Sequence, residues 1–182
     1  MNPEERPGLL TTRLALRPFT LNDAPMVQKL AGDPAIAATM HSIPHPYEDG
    51  MAEKWIETHA EEYKQGKLVN FAIVLRENHQ LLGAMGLQIA GIHRKAELGY
   101  WIGHPYWGNG YCTEAGRAVV AFGFESLGLN RIFARFMIVN PASGRVMEKI
   151  GMKYEGLLRQ DLMKEEAFHD MKIYAILKDD YK

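Results

Sequence analysis

The sequence contains a single cysteine, no long apolar segment and no excess of charge of either sign. Because Cys112 is the only cysteine, the chain cannot form an internal disulfide, which suits a reducing compartment. No apolar run approaches the roughly 20 residues that span a bilayer. The N-terminal stretch MNPEERPGLL lacks the basic region and apolar core of a signal peptide. We therefore expect a cytoplasmic protein that does not enter a membrane.

Charge and histidine spacing disfavour two further kinds of partner. The 21 basic and 22 acidic side chains give a formal net charge of −1, which offers no basic surface for nucleic acid. The seven histidines are scattered, and Pro44 between His41 and His45 disfavours a helix that would present both to one metal ion. We therefore expect neither a nucleic-acid partner nor a metal site.

The hydrophobic pattern predicts one domain over residues 9–180 with a mixed α+β fold. Strands are predicted over residues 13–19, 69–75, 81–89, 96–102, 131–139, 152–163 and 167–177. Helices are predicted shortly after Asn22 and over 48–64, 112–127 and 141–150. The proline-rich stretch 32–47 is interpreted as a loop with at most one helical turn. Hairpins in the first half and strand–helix units in the second favour a mixed sheet over a doubly wound one.

A glycine-rich loop joins the strand Ala96–Ile102 to the helix that begins near Cys112. Gly108 and Gly110 permit a tight turn and a close approach to a ligand. The free N–H groups of the helix that follows favour a phosphate. The loop lacks the Gly-Lys-Ser/Thr of a nucleotide-binding loop, and Thr113 replaces the third glycine of a dinucleotide fingerprint. A plain turn that starts a helix is the alternative interpretation.

A second polar helix start follows the next strand. Asn140 precedes Pro141, an arrangement typical of an N-cap followed by the first helical residue. Ser143 lies in the first turn. The alternative to a functional role is that its hydroxyl bonds to backbone groups nearby. Two such helix starts after adjacent strands place two polar sites at one edge of the sheet. Together they favour a ligand more than either does alone.

The ordered set of motifs resembles the GNAT superfamily of acyl-CoA-dependent N-acetyltransferases, in particular the branch that includes the ribosomal-protein N-terminal acetyltransferases. The matching segments cover about residues 11–178, and only their order makes the resemblance specific. They are Thr12–Pro18 (TRLALRP), Ala96–Ile102 (AELGYWI), Tyr106–Ala115 (YWGNGYCTEA), Leu129–Ile132 (LNRI), Asn140–Ser143 (NPAS), Glu148–Met152 (EKIGM) and Tyr154–Gly156 (YEG).

The resemblance implies a fold and a cofactor. The fold would be a mostly antiparallel sheet of six to seven strands flanked by about four helices, with a splayed parallel strand pair that binds acetyl-CoA. The strand Tyr100–Ile102 would pair with the pantetheine arm, and backbone N–H groups of about Asn109–Thr113 would hold the pyrophosphate. The implied cofactor-binding residues are Tyr100, Trp101, Ile102, Trp107, Gly108, Asn109, Gly110, Tyr111, Cys112, Thr113, Asn140 and Ser143.

The resemblance also implies catalytic residues. Many members carry a tyrosine acid where this chain has Met147, and in this branch the role passes to the serine that matches Ser143. Glu97 is the best candidate for the general base, acting through water, because an ammonium group must lose a proton before it attacks. Its alternative role is that of an ordinary charged strand residue. Asp170 and Tyr174 match a pattern of the last strand and are expected to be structural.

The expected reaction is direct attack of a primary amine on acetyl-CoA in a ternary complex, without a covalent step through Cys112. The acceptor would be a protein N-terminus, a small amine, a polyamine or an antibiotic. It would lie against residues 36–50, with Met40, His41, His45 and Tyr47 as contacts. A monomer or a homodimer is expected. Two rival functions are a non-catalytic acyl-CoA-binding sensor and a Rossmann-type NAD-dependent oxidoreductase.

Overall fold

A computed structural model describes residues 6–40 and 42–181, and an eight-stranded sheet dominates it. The strands are β1 Leu9–Leu10, β2 Leu14–Arg17, β3 Leu68–Leu75, β4 Leu81–Ala90, β5 Lys95–Ile102, β6 Arg131–Met137, β7 Lys153–Lys164 and β8 Ala167–Leu177. The α-helices of these residues are α1 Ala24–Ala31, α2 Pro34–Thr39, α3 Met51–Lys64, α4 Tyr111–Glu125 and α5 Pro141–Lys149. None of these helices has the length and apolar character needed to span a bilayer.

The predicted fold class is confirmed, with one more strand and one more helix than expected. The strands lie in the order β1-β2-β3-β4-β5-β6-β8-β7, and all neighbours are antiparallel except β5 and β6. The additional strand, Leu9–Leu10, is too short to show an alternating pattern. The additional helix, α2, begins at Pro34, where the Asp33 side chain accepts a hydrogen bond from the Ala35 amide.

The parallel pair opens after three residues. Pairing between β5 and β6 runs from Lys95 opposite Arg131 to Glu97 opposite Phe133. Beyond that point β5 continues to pair with β4 as far as Ile102, and β6 continues to pair with β8 as far as Met137. The two strands therefore leave a gap in the sheet, as the family resemblance predicts.

Helices cover both faces of the sheet. On one face α4 and α5 pack on a core that includes Met85, Leu98 and Ile132. On the other face α1, α2 and α3 pack on a second cluster that includes Phe19 and Trp101. Because side chains alternate along a strand, consecutive residues of β5 face different helices. The gap between β5 and β6 is therefore accessible to groups from both layers.

The hairpin β7–β8 reaches from the sheet edge to α2. Its pairing shifts register between Leu158 and Leu162, and Gln160 in this bulge has a positive φ of 51°. The Asp170 carboxylate accepts a hydrogen bond of 2.8 Å from the Gln160 amide, which stabilises the bulge. At the hairpin tip the Lys164 ammonium donates to the carbonyl oxygens of Ala37 and Met40 at the end of α2. A cation is favoured at a helix C-terminus.

Candidate active site

A groove of about 450 Å³ lies at the gap between β5 and β6. Four segments form its walls: the end of β5, the loop before α4, the first turns of α5, and α2 with the residue that follows it. The lining residues are Ile36, Thr39, Met40, Tyr100, Trp101, Ile102, Tyr106, Trp107, Gly108, Gly110, Tyr111, Cys112, Thr113, Asn140, Ala142, Ser143, Arg145, Val146 and Lys149. The predicted cofactor-binding residues therefore meet in one place, with the exception of Asn109.

The glycine loop has the conformation that its composition predicts. Gly108 and Gly110 have φ values of 79° and 77°, which favour glycine. Gly110 is the N-cap of α4, and no side chain caps the helix. The N–H groups of Tyr111, Cys112 and Thr113 precede the first intrahelical hydrogen bond, which Glu114 donates to Gly110. The helix dipole adds positive potential at the same place.

An ion pair anchors this loop to the strand β2, a contact that sequence reasoning missed. The Arg13 guanidinium donates to the Asn109 carbonyl oxygen at 3.0 Å and to the Glu114 carboxylate at 2.7 Å. Glu114 also accepts from Thr11 Oγ1 at 2.6 Å and from the Arg13 amide at 2.8 Å. Burial opposes ionisation, but these hydrogen bonds hold the pKa of Glu114 below its ordinary value. The loop is thus fixed from outside the groove.

Asn109 shapes the loop from within. Its side-chain amide donates to the carbonyl oxygens of Tyr106 and Trp107, each at 3.1 Å. This explains why Asn109 alone among the predicted loop residues does not line the groove. Trp107, in turn, donates from its indole to the Ile102 carbonyl oxygen at 2.6 Å.

The backbone of β5 offers polar groups to the gap. The Gly103 amide donates to Leu82 of β4 at 2.8 Å, and the direction of these groups alternates along a strand. The amides and carbonyls of Tyr100 and Ile102 therefore point toward β6, which no longer pairs there. Since Trp107 occupies the Ile102 carbonyl, the Tyr100 amide and carbonyl and the Ile102 amide remain for a ligand.

Two hydroxyl groups meet on the α5 side of the gap. The Tyr100 hydroxyl lies 2.7 Å from Ser143 Oγ and 3.2 Å from the Ser143 carbonyl oxygen. Ser143 is only 9% exposed. Burial raises the pKa of Tyr100 far above its ordinary value; the nearby Cys112 adds to the shift, and the hydrogen bond to Ser143 opposes it. The phenol therefore keeps its proton at neutral pH.

Asn140 and Cys112 complete this part of the groove. The Asn140 side chain caps α5 by accepting a hydrogen bond of 3.3 Å from the Ser143 amide. Asn140 therefore has the cap role that its sequence position predicts, and it also lines the groove. Burial raises the pKa of the Cys112 thiol to about 12. Such a thiol is protonated and a weak nucleophile at neutral pH.

Glu97 lies on the other face of β5, away from Tyr100 and Ser143. Its two carboxylate oxygens accept from the Arg135 guanidinium at 3.0 and 3.2 Å. Arg135 also donates to Asp161 of β7 at 2.9 Å. These hydrogen bonds, with Glu97 contributing most, raise the pKa of Arg135. Glu97 marks the last parallel pair before the gap, but it is not among the residues that line the groove.

Residues 13–153 match the family model described as Acetyltransferase (GNAT) domain. The chain belongs to the GNAT acetyltransferase family. It is 33% identical over 94% of its length to the uncharacterized N-acetyltransferase YoaA of Bacillus subtilis, of which it covers 97%. It is 29% identical over 55% of its length to the ribosomal-protein-serine acetyltransferase of Escherichia coli, of which it covers 56%. The predicted family is therefore confirmed.

Solved GNAT structures have the same fold. A GNAT-family acetyltransferase from Bacillus anthracis superposes with a TM-score of 0.83 and 27% identity, covering 94% of this chain and 99% of that one. The spermidine N-acetyltransferase of Vibrio cholerae, solved with CoA and spermine, gives a TM-score of 0.80 and 23% identity over 94% and 99% of the two chains. The antiparallel sheet and the family membership together exclude the Rossmann-type alternative.

The predicted acceptor contacts of this GNAT chain are only partly brought together. Met40 lines the groove, whereas Tyr47 lines a neighbouring pocket. His45 is exposed and lines neither of the two cavities, and His41 lies outside the described residues. Among the residues that the structure describes, no group of His, Cys, Asp and Glu side chains is arranged to hold a metal ion.

Two basic residues complete the wall of the groove, whereas Met147 lies outside it in the core. Arg145 and Lys149 line the groove together with Ala142 and Val146. Residues at this spacing lie on one face of a helix, so the sequence of α5 does contain a pattern that predicts Arg145 and Lys149 beside Ala142. Neither residue was among those predicted from the sequence. Met147, at the position of the usual tyrosine acid, is 1% exposed in the core.

Proposed function

We propose that this GNAT enzyme transfers the acetyl group of acetyl-CoA to a primary amine, either a protein N-terminus or a small amine, by direct attack in a ternary complex. One observation supports this most strongly. The groove brings together a glycine loop, a helix N-terminus without a side-chain cap, and the paired hydroxyls of Tyr100 and Ser143.

The residues present fit acetyl-CoA. The free amide and carbonyl of Tyr100 and the free amide of Ile102 suit the amide groups of a pantetheine arm, which would extend the sheet as a strand does. The N–H groups at the start of α4 suit a pyrophosphate. Arg145 and Lys149 provide positive charge for further phosphate oxygens.

The proposed acid is the Ser143 hydroxyl supported by Tyr100. The cofactor supplies a thioester, and its sulfur must leave when an amine attacks. Ser143 Oγ would donate a hydrogen bond to that sulfur, while the Tyr100 hydroxyl would donate a hydrogen bond to Ser143 Oγ. A donor at a developing anion contributes about 2.7–4 kcal/mol to the transition state. Tyr100 on β5 would thus assist the departure of the sulfur in a chain that has Met147 where the family resemblance places a tyrosine acid.

Glu97 is the proposed base, acting through water. Its side chain points to the face of β5 that carries α2, opposite to Tyr100. An amine that approaches from that face would place its proton on the side of Glu97. Both carboxylate oxygens already accept from Arg135, so the proton would pass through a bridging water that uses a remaining lone pair of the carboxylate.

A panel of acceptors tests the proposed function. Primary amines, polyamines and N-terminal peptides are incubated with acetyl-CoA, and the release of free thiol is measured. We expect release with at least one acceptor and a loss of about 10²–10³-fold in turnover for Ser143→Ala, with acetyl-CoA affinity within a few-fold of wild type. Tight acetyl-CoA binding without release for any acceptor would favour a non-catalytic sensor.

A further inference from the structure

A second cavity of about 300 Å³ lies beside the groove on the α2 face of the sheet. Its walls come from α1, α3, the loop before α3 and the end of β5. Most of the lining residues are apolar: Val27, Ala31, Ile43, Pro44, Met51, Trp55 and Trp101. The loop residue Ser42 forms part of the wall and is exposed, so the cavity opens to solvent. We refer to it as the Trp55 pocket.

Trp101 connects the Trp55 pocket with the groove. The residue lines both cavities, and only 8% of it is exposed. It follows Tyr100 on β5 and therefore points to the opposite face, where the acceptor is proposed to enter. A molecule in the pocket would thus contact the same residue as a molecule that reaches the gap from this face.

We propose that the Trp55 pocket receives an apolar substituent of the acceptor, so that the substrate is an amine with an aryl or branched alkyl group. This inference rests on the proposed acetyl transfer. The volume is about twice that of the ~150 Å³ apolar cavity known to bind benzene. A phenyl group or a side chain of similar size therefore fits, and its burial against indole and aliphatic walls is favourable.

The charges around the pocket favour a monoamine over a polyamine. No described residue of its wall is charged, so a second ammonium group inside it would lose its hydration without gaining a partner. Negative charge is found only outside, where Glu48 and Asp49 are exposed. Glu53 lies on α3 between the wall residues Met51 and Trp55, and it adds to the burial that raises the pKa of the Tyr47 phenol. An acceptor with one ammonium group near the rim of the pocket and one apolar group inside it matches this distribution of charge.

Acetyl transfer to matched amines tests the inference. We expect kcat/KM for 2-phenylethylamine to exceed that for ethanolamine and for spermidine by at least about tenfold. Ser42→Trp fills the pocket from its exposed wall and should lower kcat/KM for 2-phenylethylamine by about tenfold or more, with ethanolamine within about twofold. Ser126→Trp, at the exposed end of α4, is the matched control and should change neither value of kcat/KM.

Met51→Ala should enlarge the pocket and shift the preference among acceptor amines toward the larger tryptamine.

A binding measurement separates this inference from the proposed function. Titration of 2-phenylethylamine into the protein with CoA should give saturable binding that Ser42→Trp weakens by about tenfold and Ser126→Trp does not. If no amine is acetylated but this binding is present, the proposed acetyl transfer is wrong and the binding of an apolar amine in the Trp55 pocket is retained. A preference for ethanolamine or spermidine, equal effects of Ser42→Trp on all amines, or no binding of 2-phenylethylamine would overturn the inference.

Discussion

The Tyr100 hydroxyl lies 2.7 Å from the Ser143 hydroxyl and bridges β5 to α5 across the gap in the sheet. Tyr100 also approaches the Ser143 carbonyl oxygen at 3.2 Å, so the phenol meets two oxygens of one residue. When the phenol donates to Ser143 Oγ, the serine proton is left to donate elsewhere. The proposed acid is therefore a pair of hydroxyls, each on a different element.

Removal of the phenol tests the pair. Tyr100→Phe should lower turnover by about tenfold to a hundredfold, because Ser143 loses the donor that orients its proton. Acetyl-CoA affinity should remain within a few-fold, since the backbone of β5 is unchanged. Tyr106→Phe is the control: Tyr106 also lines the groove, but its hydroxyl bonds to Gln80.

A double variant distinguishes this role from simple packing. If Tyr100 acts through Ser143, then Tyr100→Phe combined with Ser143→Ala should be little slower than Ser143→Ala alone. Steady-state turnover of the four proteins measures the coupling. Fully additive losses would mean that the phenol acts independently of the serine.

The contact between Arg13 and Glu114 predicts that substitution of Glu114 weakens cofactor binding. Glu114→Gln should weaken acetyl-CoA binding by about tenfold, because the carboxylate no longer holds the guanidinium that fixes the Asn109 carbonyl. Arg76→Gln is a suitable control, since Arg76 donates to Thr11 and Thr12 but not to the loop. Calorimetric titration of acetyl-CoA gives the affinities. Equal affinity for Glu114→Gln and wild type would limit this ion pair to fold stability.

Glu97 and Asp161 offer a matched pair for the base. Both accept hydrogen bonds from Arg135, but only Glu97 is proposed to accept the proton of the amine. Glu97→Gln should reduce turnover about 10²-fold near neutral pH, with partial recovery at high pH, where more of the amine is already deprotonated. Asp161→Asn should have a small effect at every pH. If both variants lose the same activity without pH dependence, Glu97 only positions Arg135.

Much of this fold is predictable because local patterns are strong. In β2 the alternation of Leu14 and Leu16 with Ala15 and Arg17 marks a strand with one fully buried face, and the order of motifs along the chain indicates the family. The prolines of residues 32–47 predict a loop with at most one helical turn, whereas the structure has the helix α2 at Pro34–Thr39. Its start signal was nevertheless present, since Asp33 and Pro34 form a standard N-cap and first helical residue.

The contacts that shape the site were not predictable from local patterns. Arg13 and Glu114 are 101 residues apart, and Glu97 and Arg135 are 38 apart. Which charged side chains meet depends on strand order and register, and neither follows from the hydrophobic period of a single strand. The contact of Lys164 with the end of α2 was unpredictable for the same reason, because the two contacting residues are 124 positions apart in the chain.

His59 of α3 predicts how stability depends on pH. The residue is 2% exposed, and its ring packs against those of Phe19 and Trp55. Nε2 lies 3.1 Å from the Asn70 amide nitrogen, while Nδ1 is buried without a partner among the described residues. Burial, with the positive charge of Arg6 adding to it, lowers the pKa of His59 from 6.5 to about 4. The folded protein therefore keeps this ring neutral at mildly acidic pH.

The sign of the effect follows from proton uptake. Between about pH 6.5 and pH 4 the unfolded chain binds a proton at His59 that the folded protein does not, so the free energy of unfolding falls as the pH falls. From about pH 6.5 to pH 5 the loss should be about 1–2 kcal/mol. Urea unfolding at several pH values measures it. His59→Gln should remove this part of the slope, whereas His93→Gln, at an exposed position, should retain it. A wild-type stability that is constant over this range would show that His59 is protonated in the folded protein as readily as in the unfolded chain.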